Sequence, residues 1–531
     1  MAVVKSFDRS PNPADVRVLG TSYQQPPVVS LVSDKDALSE TSLGLFFNSV
    51  FESADSVRRS RAAIWTDCWD LYNGNNDWSS KAWWQSRANI PEVRAAVDRA
   101  VSVFRKSLLR LRQFYQTQSD SRQGKAKGLF TVALLNHWLN RANTIEELLI
   151  AIKAGLITST IVLKIWWQQV REELPEVVEV EEPIFQFGVQ TGSQTKRDIE
   201  FKSKTRGQFA AKAVDPFNFW IVPNTNRSAV IERTYATYSE IKALVDQKVY
   251  RKEALDRVKN LSASSQTEKS HEARRANEAP ASSDRYIRPI ELFHYWGDIY
   301  NTDGEIVMDR ASFTMAGKDI LLRNARPNPF YHKKPPYVFG TPYTVPFSTY
   351  DRGMIEDVYE IAKEITELTA LIVDGAKYDA LKAFAIDIDG LDDPSEASNG
   401  LYPGKTFTKR GSQLPPNAKV VETIDVGKVP AEAMNALAVL YRAFQKGTFI
   451  NEWVSGQGGT SGDQTLGEVN IKTQAALEGL DEAARNIEGS AIEPMLDMSA
   501  RVIYQFNTNY AIPQLLEQFP DTVALLEDLS P

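Results

Sequence analysis

A glycine-rich run between two helical patterns is the first place where the residue types could do chemistry. The run is Val454 to Thr465, VSGQGGTSGDQT, and it carries four glycines. A loop that cradles nucleotide phosphates ends in lysine followed by serine or threonine, so that an ammonium group reaches the β and γ phosphates. Here Gly462 is followed by Asp463 and Gln464, and a carboxylate would repel a phosphate. The run is therefore predicted not to bind nucleotide, which leaves a slack linker or a mobile loop with a mechanical role.

Residue types that bind metals or act as nucleophiles form no recognisable constellation. The histidines lack HxH or HExxH spacing, and they are His137, His271, His294 and His332. The acidic stretch from Asp387 to Asp393 lacks the terminal glutamate of a calcium loop and is predicted to be an acidic turn. The one cysteine, Cys68, is predicted to be a buried apolar side chain. We therefore expect that the protein has no catalytic, cofactor-binding or metal-binding residues and that it is not an enzyme.

A strongly acidic segment coincides with one long predicted helix. From Arg352 to Asp379 the acids are Glu356, Asp357, Glu360, Glu364, Glu367, Asp374 and Asp379, and the bases are Arg352, Lys363 and Lys377. Such an excess is usual on a solvated helix face. The functional alternative is a wall that repels a polyanion, so that DNA slides past without adhering.

Length and composition describe a folded chain with several cores. It has 531 residues, of which 43% are hydrophobic, and this length predicts about two to four domains. A formal charge of −7 is a mild excess of carboxylates and does not predict a surface that binds nucleic acid by summed positive charge. The N-terminal residues lack the apolar core of a signal peptide, and Lys153 and Lys164 interrupt the most apolar stretch, Leu148 to Trp167. That stretch is predicted to be a helix end followed by a buried strand, in a protein that is soluble and cytoplasmic when made.

The first 350 residues predict a mixed α+β region after an N-terminal arm. Residues 1–55 carry prolines among short polar residues and predict an extended or mobile arm. Three helical patterns follow between Ser56 and Arg112. Strand-like runs come next, at 158–170, 185–189, 209–214 and 219–222. A polar linker is predicted at 252–285, and Thr302-Asp303-Gly304 predicts a hairpin turn.

From Gly353 onward three long helical patterns dominate. The first has one apolar stripe, made of Ile355, Val358, Ala362, Ile365, Thr369 and Ile372, which needs neighbours along its length. The second begins near Pro430 and carries Met434, Leu437, Tyr441 and Phe444 on one face, with Gly447 placed to cap it. The third opens with a capping box at Thr465 and is expected to bend at Pro494. A small module, Phe384 to Asp425, lies between the first two.

This order of elements resembles the portal proteins of tailed bacteriophages, the head-to-tail connectors, as they occur in short-tailed phages. The stretches that carry the resemblance include GLITSTIVLKIWW, AVDPFNFWIVPNTNRSAVIERTYATYSEIKALV, ELFHYWGDIYNTDGEI and the long run from Asn328 to Ala376. The resemblance covers about residues 58 to 507. The chain departs from some portals after Phe506, where about 25 residues leave no room for a long helical barrel.

The resemblance implies a mixed α+β fold, mainly α in the C-terminal half, that assembles into a closed ring. The implied parts are the wing (56–350), stem helix 1 (351–380), the clip (381–428), stem helix 2 (429–447), the tunnel loop (448–465), a long kinked helix into wing and crown (466–507), and a short C-terminal tail or crown (508–531). A ring would bury the stem's apolar stripe against neighbouring copies and leave the acidic face inside.

The function implied is that of a conduit for double-stranded DNA at one capsid vertex, used in packaging and ejection. The channel wall would include Glu356, Glu360, Lys363, Glu364 and Glu367. The DNA-facing tunnel loop would include Gln457, Gly458, Gly459, Thr460 and Ser461. Lys405, Lys409 and Arg410 of the clip would dock the motor or adaptor. The implied partners are further copies in a ring (a dodecamer), the terminase large subunit, the head-tail adaptor, and the major capsid and scaffolding proteins. No cofactor and no membrane are implied.

Two other classes of protein stay open on the sequence. One is another virion component, such as a tail or adaptor protein. The other is an enzyme whose polar middle region houses an unrecognised site. Localisation follows the resemblance: the virion vertex, and the host cytoplasm during assembly.

Overall fold

The structure is a computed structural model, in which four helices precede two antiparallel sheets and a second group of helices follows them. It describes residues 38–108, 122–186, 189–225, 227–259, 261, 289–380, 383–393, 395, 408, 421–424, 431–450 and 479–506. The fold is mixed α+β, as the sequence predicts.

The N-terminal half begins with a 34-residue helix, α1 (Glu40–Asn73). The Oγ of Ser39 accepts a hydrogen bond from the amide N–H of Ser42, and Gly74, with a φ of 77°, ends the helix in the left-handed conformation. The predicted boundary at Ser56 is wrong, because a buried face starts earlier, at Leu43, Phe47, Phe51 and Ala54. These residues recur at steps of three and four, and Phe46 and Val50 beside them pack against the same cluster.

Three further helices complete this helical group: α2 (Glu92–Leu108), α3 (Arg122–Arg141) and α4 (Thr144–Thr158). The sequence predicted three helices between Ser56 and Arg112, whereas the described residues there form α1, turns at 74–91, and α2. The apolar stretch Leu148 to Trp167 is a helix end followed by a strand, as predicted. Among the helices that the structure describes, none is both long enough and apolar enough to cross a bilayer.

Two sheets follow, and both are antiparallel. The first joins β1 (Ile161–Gln186) to β2 (Val189–Ala213) and to β8 (Tyr337–Gly340). The second has five strands in sequence order: β3 (Phe219–Ile221), β4 (Val230–Ala236), β5 (Ile290–Tyr300), β6 (Ile306–Ala316) and β7 (Ile320–Pro327). The predicted hairpin turn joins β5 to β6, and Gly304 supplies its positive φ of 84°. The described residues of the strand-like runs predicted at 185–189 and 209–214 belong to the long hairpin of β1 and β2, except that β2 ends one residue before 214.

The predicted polar linker at 252–285 is wrong at its start. A short helix α5 (Tyr238–Asp246) is followed by a 3-10 turn, Lys252–Ala254, and by one turn of helix, α6 (Leu255–Val258). Ala254 and Val258 are buried against β5 and β7 in a small cluster of their own. Burial of these two apolar residues fixes the first turns of an otherwise polar segment. Residues 262–288 lie outside the described residues.

A buried polar network joins the two sheets. Lys164 of β1 forms an ion pair with Glu232 of β4, and the hydroxyl of Tyr337 in β8 donates a 2.7 Å hydrogen bond to the same carboxylate. Burial opposes the ionisation of Glu232, but the neighbouring Lys164 ammonium keeps the pKa of this carboxyl below its ordinary value. Next to it, the Nε2 of His294 lies 2.9 Å from the hydroxyl of Thr234.

Acid should destabilise the protein through His294. Burial, and then the nearby Lys164, lower the pKa of His294 to about 4. Between about pH 6.5 and 4, His294 is therefore protonated in the unfolded chain but neutral in the folded chain. The free energy of unfolding falls by about 2 to 3 kcal/mol over this range. Chemical denaturation across this range should show wild type losing stability relative to the variant His294→Gln. Parallel curves for the two proteins would contradict this role.

Candidate functional site

The second group of helices contains an antiparallel pair that carries the acidic segment. Its first member is α7 (Tyr359–Ala380), and its second is α8 (Ala431–Thr448), which returns along it. Between them, β9 (Ala383–Ile386) pairs with β10 (Val421–Ile424), so the inserted module opens and closes on a two-stranded antiparallel sheet. The observed start of the first helix differs from the predicted one at Arg352, because residues Glu356–Val358 form a 3-10 turn.

Gly447 allows the two helices to approach closely. It was predicted to cap α8, but the helix continues to Thr448, so this prediction is wrong. A Cβ placed on Gly447 would lie 2.4 Å from the Cγ1 of Val358, which is buried. Real carbon contacts are near 3.5 to 4 Å, so only glycine fits here without displacing Val358. The glycine sets the spacing between the end of α8 and the start of α7.

The apolar stripe of the first helix is buried largely within its own chain. Ile355, Val358, Ala362 and Ile365 belong to the largest core cluster, with Phe444 of α8 and with residues 480–503. The expectation that neighbouring copies cover this stripe is therefore wrong for its N-terminal half. The reason is the return of α8, which supplies Leu437, Tyr441 and Phe444 to the stripe, in agreement with three of the four residues predicted for that face. The fourth, Met434, is 54% exposed.

Six of the seven acids of the segment have described side chains, and these six fall into distinct environments. Glu356 and Asp374 are used within the chain: Glu356 pairs with Arg61, and Asp374 accepts a hydrogen bond from the backbone N–H of Ser86. Asp357 pairs with Arg352 at the surface. The acids left on one exposed face of α7 are Glu360, Glu364 and Glu367, with Lys363 among them. Of the predicted channel-wall residues, the structure thus groups these four and separates Glu356 from them.

Arg61 ties the start of α7 to the N-terminal helix α1. Its Nη1 and Nη2 donate to the two carboxylate oxygens of Glu356 at 2.9 and 2.5 Å, and Nη2 also donates to the backbone oxygen of Asp351 at 2.8 Å. Both side chains are less than one-fifth exposed. A bidentate, partly buried pair of this kind fixes direction as well as distance. Nothing in the sequence pairs these residues, which are 295 positions apart.

Removing the arginine should loosen this junction. Arg61→Met leaves the partly buried Glu356 without its partner, and we expect the free energy of unfolding to fall by about 3 kcal/mol. Arg59→Met in the same helix is the matched control, because Arg59 is 76% exposed and its pair with Asp55 should contribute less than about 1 kcal/mol. Equal losses in the two variants, measured by chemical denaturation, would contradict the role given to Arg61.

The other helix of the pair presents a different surface. Met434 and Val439 of α8 are more than half exposed, and alanines 431, 436 and 438 beside them are exposed too. Exposed charge on α8 is confined to Glu432, Arg442 and Lys446. Leu371 of α7 is 62% exposed. The pair therefore carries an acidic face on one helix and a mainly apolar face on the other.

The third long pattern is interrupted where the sequence predicted a bend. Residues 479–487 are helical, a π-helical turn follows at Glu488–Ile492, and α9 (Glu493–Phe506) completes the segment. Pro494 has no N–H to donate one turn back, which accounts for the break in the hydrogen-bond ladder directly before it. The apolar residues Leu480, Ile487 and Ala491 of this segment are buried.

Several predicted site residues lie outside the described residues. These are the glycine-rich run with Gln457, Gly458, Gly459, Thr460 and Ser461, the capping box at Thr465, and Lys405, Lys409 and Arg410 of the module.

Within the described part of the chain, no group of three metal-ligating side chains occurs. Cys68 is buried, as predicted, and burial raises the pKa of its thiol to about 12. In the predicted acidic turn, the 3-10 turn Ile388–Gly390 leaves Asp387 and Asp389 exposed.

When the chain is compared with known protein families, one family matches it. The model of a family described as phage SU10 portal protein matches residues 117–519, which is more than half of the chain and includes both helices of the pair and the inserted module. No curated protein matches the chain.

Proposed function

Since the chain belongs to the family of phage SU10 portal proteins, we propose that it forms a closed ring at one capsid vertex and conducts double-stranded DNA. Portal proteins are structural rather than catalytic, and they are components of the virion. On this proposal the pair of α7 and α8 is the stem that lines the channel, and 56–350, with the last helix, forms the wing and crown.

The observation that carries the proposal is the exposed acidic face of α7. Glu360, Glu364 and Glu367 repeat at steps of four and three, so they share one side of the helix, and among the described residues none of the three forms an ion pair. A channel must let DNA pass in both directions, and cations on its wall would bind phosphates and slow that passage. A face in which acids outnumber the single Lys363 keeps the polyanion away from the wall.

The apolar face of α8 supports the ring. In a single chain Met434 and Val439 stay in water, which is unfavourable for large apolar side chains. If each copy sets this face against its neighbour, the contact is heterologous, and such contacts close into a ring when the rotation permits. The acidic face then points inward at every subunit. We propose a ring of twelve copies.

The remaining roles belong to segments that lead out of this pair. We propose that the module between β9 and β10 is the clip, which docks the terminase and later the head-tail adaptor through Lys405, Lys409 and Arg410. We propose that Gln457 to Ser461 belong to the tunnel loop that touches DNA, because small polar residues without positive charge suit a contact that must give way. Hydrolysis of ATP would be the work of the docked terminase.

Localisation within assembled heads tests the proposed function. A chain that carries a small C-terminal tag should be visible by labelled electron microscopy at a single vertex of each head. Heads assembled without the chain should lack DNA. Label on many vertices, or heads that fill with DNA in the absence of the chain, would overturn the proposal.

A further inference from the structure

One short loop presents a phenylalanine to solvent in an unfavourable backbone conformation. Phe347 lies in the loop that leads from β8 towards the start of α7, its side chain is fully exposed, and its φ is 63°. The backbone N–H of Ser348 donates to the oxygen of Val345 at 3.3 Å, which closes a β-turn with Pro346 in the second position. Proline second and a positive φ third are the features of a type II turn, whose third position favours glycine.

Phenylalanine at this position is unfavourable for two reasons, its backbone conformation and its exposure to solvent. A bulky side chain in the left-handed region is strained, and such strain persists only where the surroundings impose it, often at functional sites. A fully exposed phenylalanine also gains nothing from burial in its own fold. Glycine would relieve the strain, and a polar residue would suit the solvent. The residue therefore serves something outside the single chain.

The loop holds Phe347 rigidly. Tyr343 and Arg352 form a β-bridge that closes the loop at its base. The buried Asp351 accepts a 2.9 Å hydrogen bond from the N–H of Val345 through one carboxylate oxygen, and it pairs with Arg227 through the other. The hydroxyl of Ser348 donates to the oxygen of Tyr350 at 2.5 Å. Binding by a pre-ordered loop loses little conformational entropy, which is a property of contact anchors.

The composition of the loop argues against DNA as its partner. Residues 341–350, TPYTVPFSTY, contain no charged residue, so nothing in this stretch attracts the phosphates of DNA. The loop ends where the proposed channel helix begins, and its base at Asp351 is bonded to Arg61, the residue that fixes that helix. In a ring, this level of the subunit must meet the next copy.

We propose that Phe347 is the anchor by which one copy of this chain docks on the wing of the next. The inference rests on the proposed ring and adds a specific contact to it. A single aromatic side chain on a rigid loop, buried in a pocket of the partner, is the usual form of a hot spot. Each copy donates one anchor and receives one, so the contact repeats around the ring.

Two substitutions at this position test the proposal without disturbing the fold. Phe347→Ala and Phe347→Gly remove an exposed side chain, and the glycine also relieves the backbone strain, so its monomer should melt at the same or a higher temperature than wild type. We expect both variants to need about tenfold or more protein for half-maximal ring assembly, measured by light scattering after size exclusion. Ile306→Ala is the matched control, because Ile306 is 55% exposed at the tip of the hairpin of β5 and β6.

The outcomes separate this proposal from the ring itself. Rings of wild-type stability in Phe347→Gly would overturn the anchor and leave the ring standing. A wild-type chain that forms no ring would overturn both. Loss of rings in Phe347→Ala and Phe347→Gly, with the ring intact in Ile306→Ala, is the expected result.

Crosslinking identifies what the anchor touches. The chain has one cysteine, Cys68, which is buried and whose thiol pKa is raised to about 12, so it resists alkylation. Phe347→Cys, labelled with a benzophenone maleimide and illuminated in assembled rings, should give a band at twice the mass of the chain. Peptide mapping should place the link in the wing of the second copy. A link to scaffolding or capsid protein instead, or none between copies, would overturn the proposal.

Discussion

Packaging of DNA should slow by about tenfold or more when Glu360, Glu364 and Glu367 are replaced together by lysine. The three carboxylates share the exposed face of α7, and the substitution turns that face from acidic to basic in every copy. On the proposed stem, each new ammonium would lie beside passing phosphates and would bind them. The rate of DNA translocation into empty heads, measured at several salt concentrations, is the readout. The defect should shrink as salt rises, because screening weakens contacts between lysine and phosphate.

Control variants distinguish an effect of the new positive charge from an effect of the substitutions on folding. Glutamine at the same three positions removes the acids without adding bases, and should slow packaging far less than lysine does. Lysine at Glu52, Asp303 and Glu305, three exposed carboxylates outside α7, reverses the same number of charges away from that helix. Glu356 is left out, because its pair with Arg61 holds the fold. Equal packaging rates in the α7 variant and in wild type would refute the low-adhesion wall.

The packing of α8 against the start of α7 should weaken when Gly447 gains a side chain. Gly447→Ala should lower the free energy of unfolding by about 2 kcal/mol, because the added Cβ overlaps the buried Cγ1 of Val358. In an open helix the same change would add stability. Val358→Ala should also destabilise, since it leaves a cavity. The double variant should be more stable than the sum of the two single effects predicts, by about 1 to 2 kcal/mol, because the new methyl group fills that cavity.

Gly489→Ala is the matched control for this pair. Gly489 lies in the π-helical turn, and no described residue outside its own turn of helix lies within 4 Å of where its Cβ would be. Its substitution should change the free energy of unfolding by less than about 1 kcal/mol. A double-mutant cycle between Val358 and Gly447 with no coupling would contradict the contact.

The periodic elements were predictable from the sequence because their spacing is a local property. Ile355, Val358, Ala362 and Ile365 recur at steps of three and four, and the structure buries all four. The hairpin turn at Gly304 and the break before Pro494 were predictable for a similar reason, since one residue limits the backbone there. The family was recognisable from the order of these elements, and the family match agrees.

What could not be predicted depends on contacts between distant segments. Glu356 has the sequence context of an exposed helical acid, and only the fold brings Arg61 of α1 to it. Gly447 looks like a helix cap, and only the return of α8 shows that its lack of a Cβ makes room for Val358. The buried face of α1 before Ser56 is a different kind of miss, because Leu43, Phe47, Phe51 and Ala54 recur at steps of three and four and already carried a local helical signal. Phe347 carries no sequence signal, since its strain appears only in φ.

The mass and outline of the purified protein test the central claim most directly. Twelve copies of a 59.6 kDa chain give about 715 kDa, and electron microscopy should show annular particles with a central channel. A particle of this mass and shape is the predicted result. A species that stays at the mass of one chain at every concentration, with no annular class, would contradict the account.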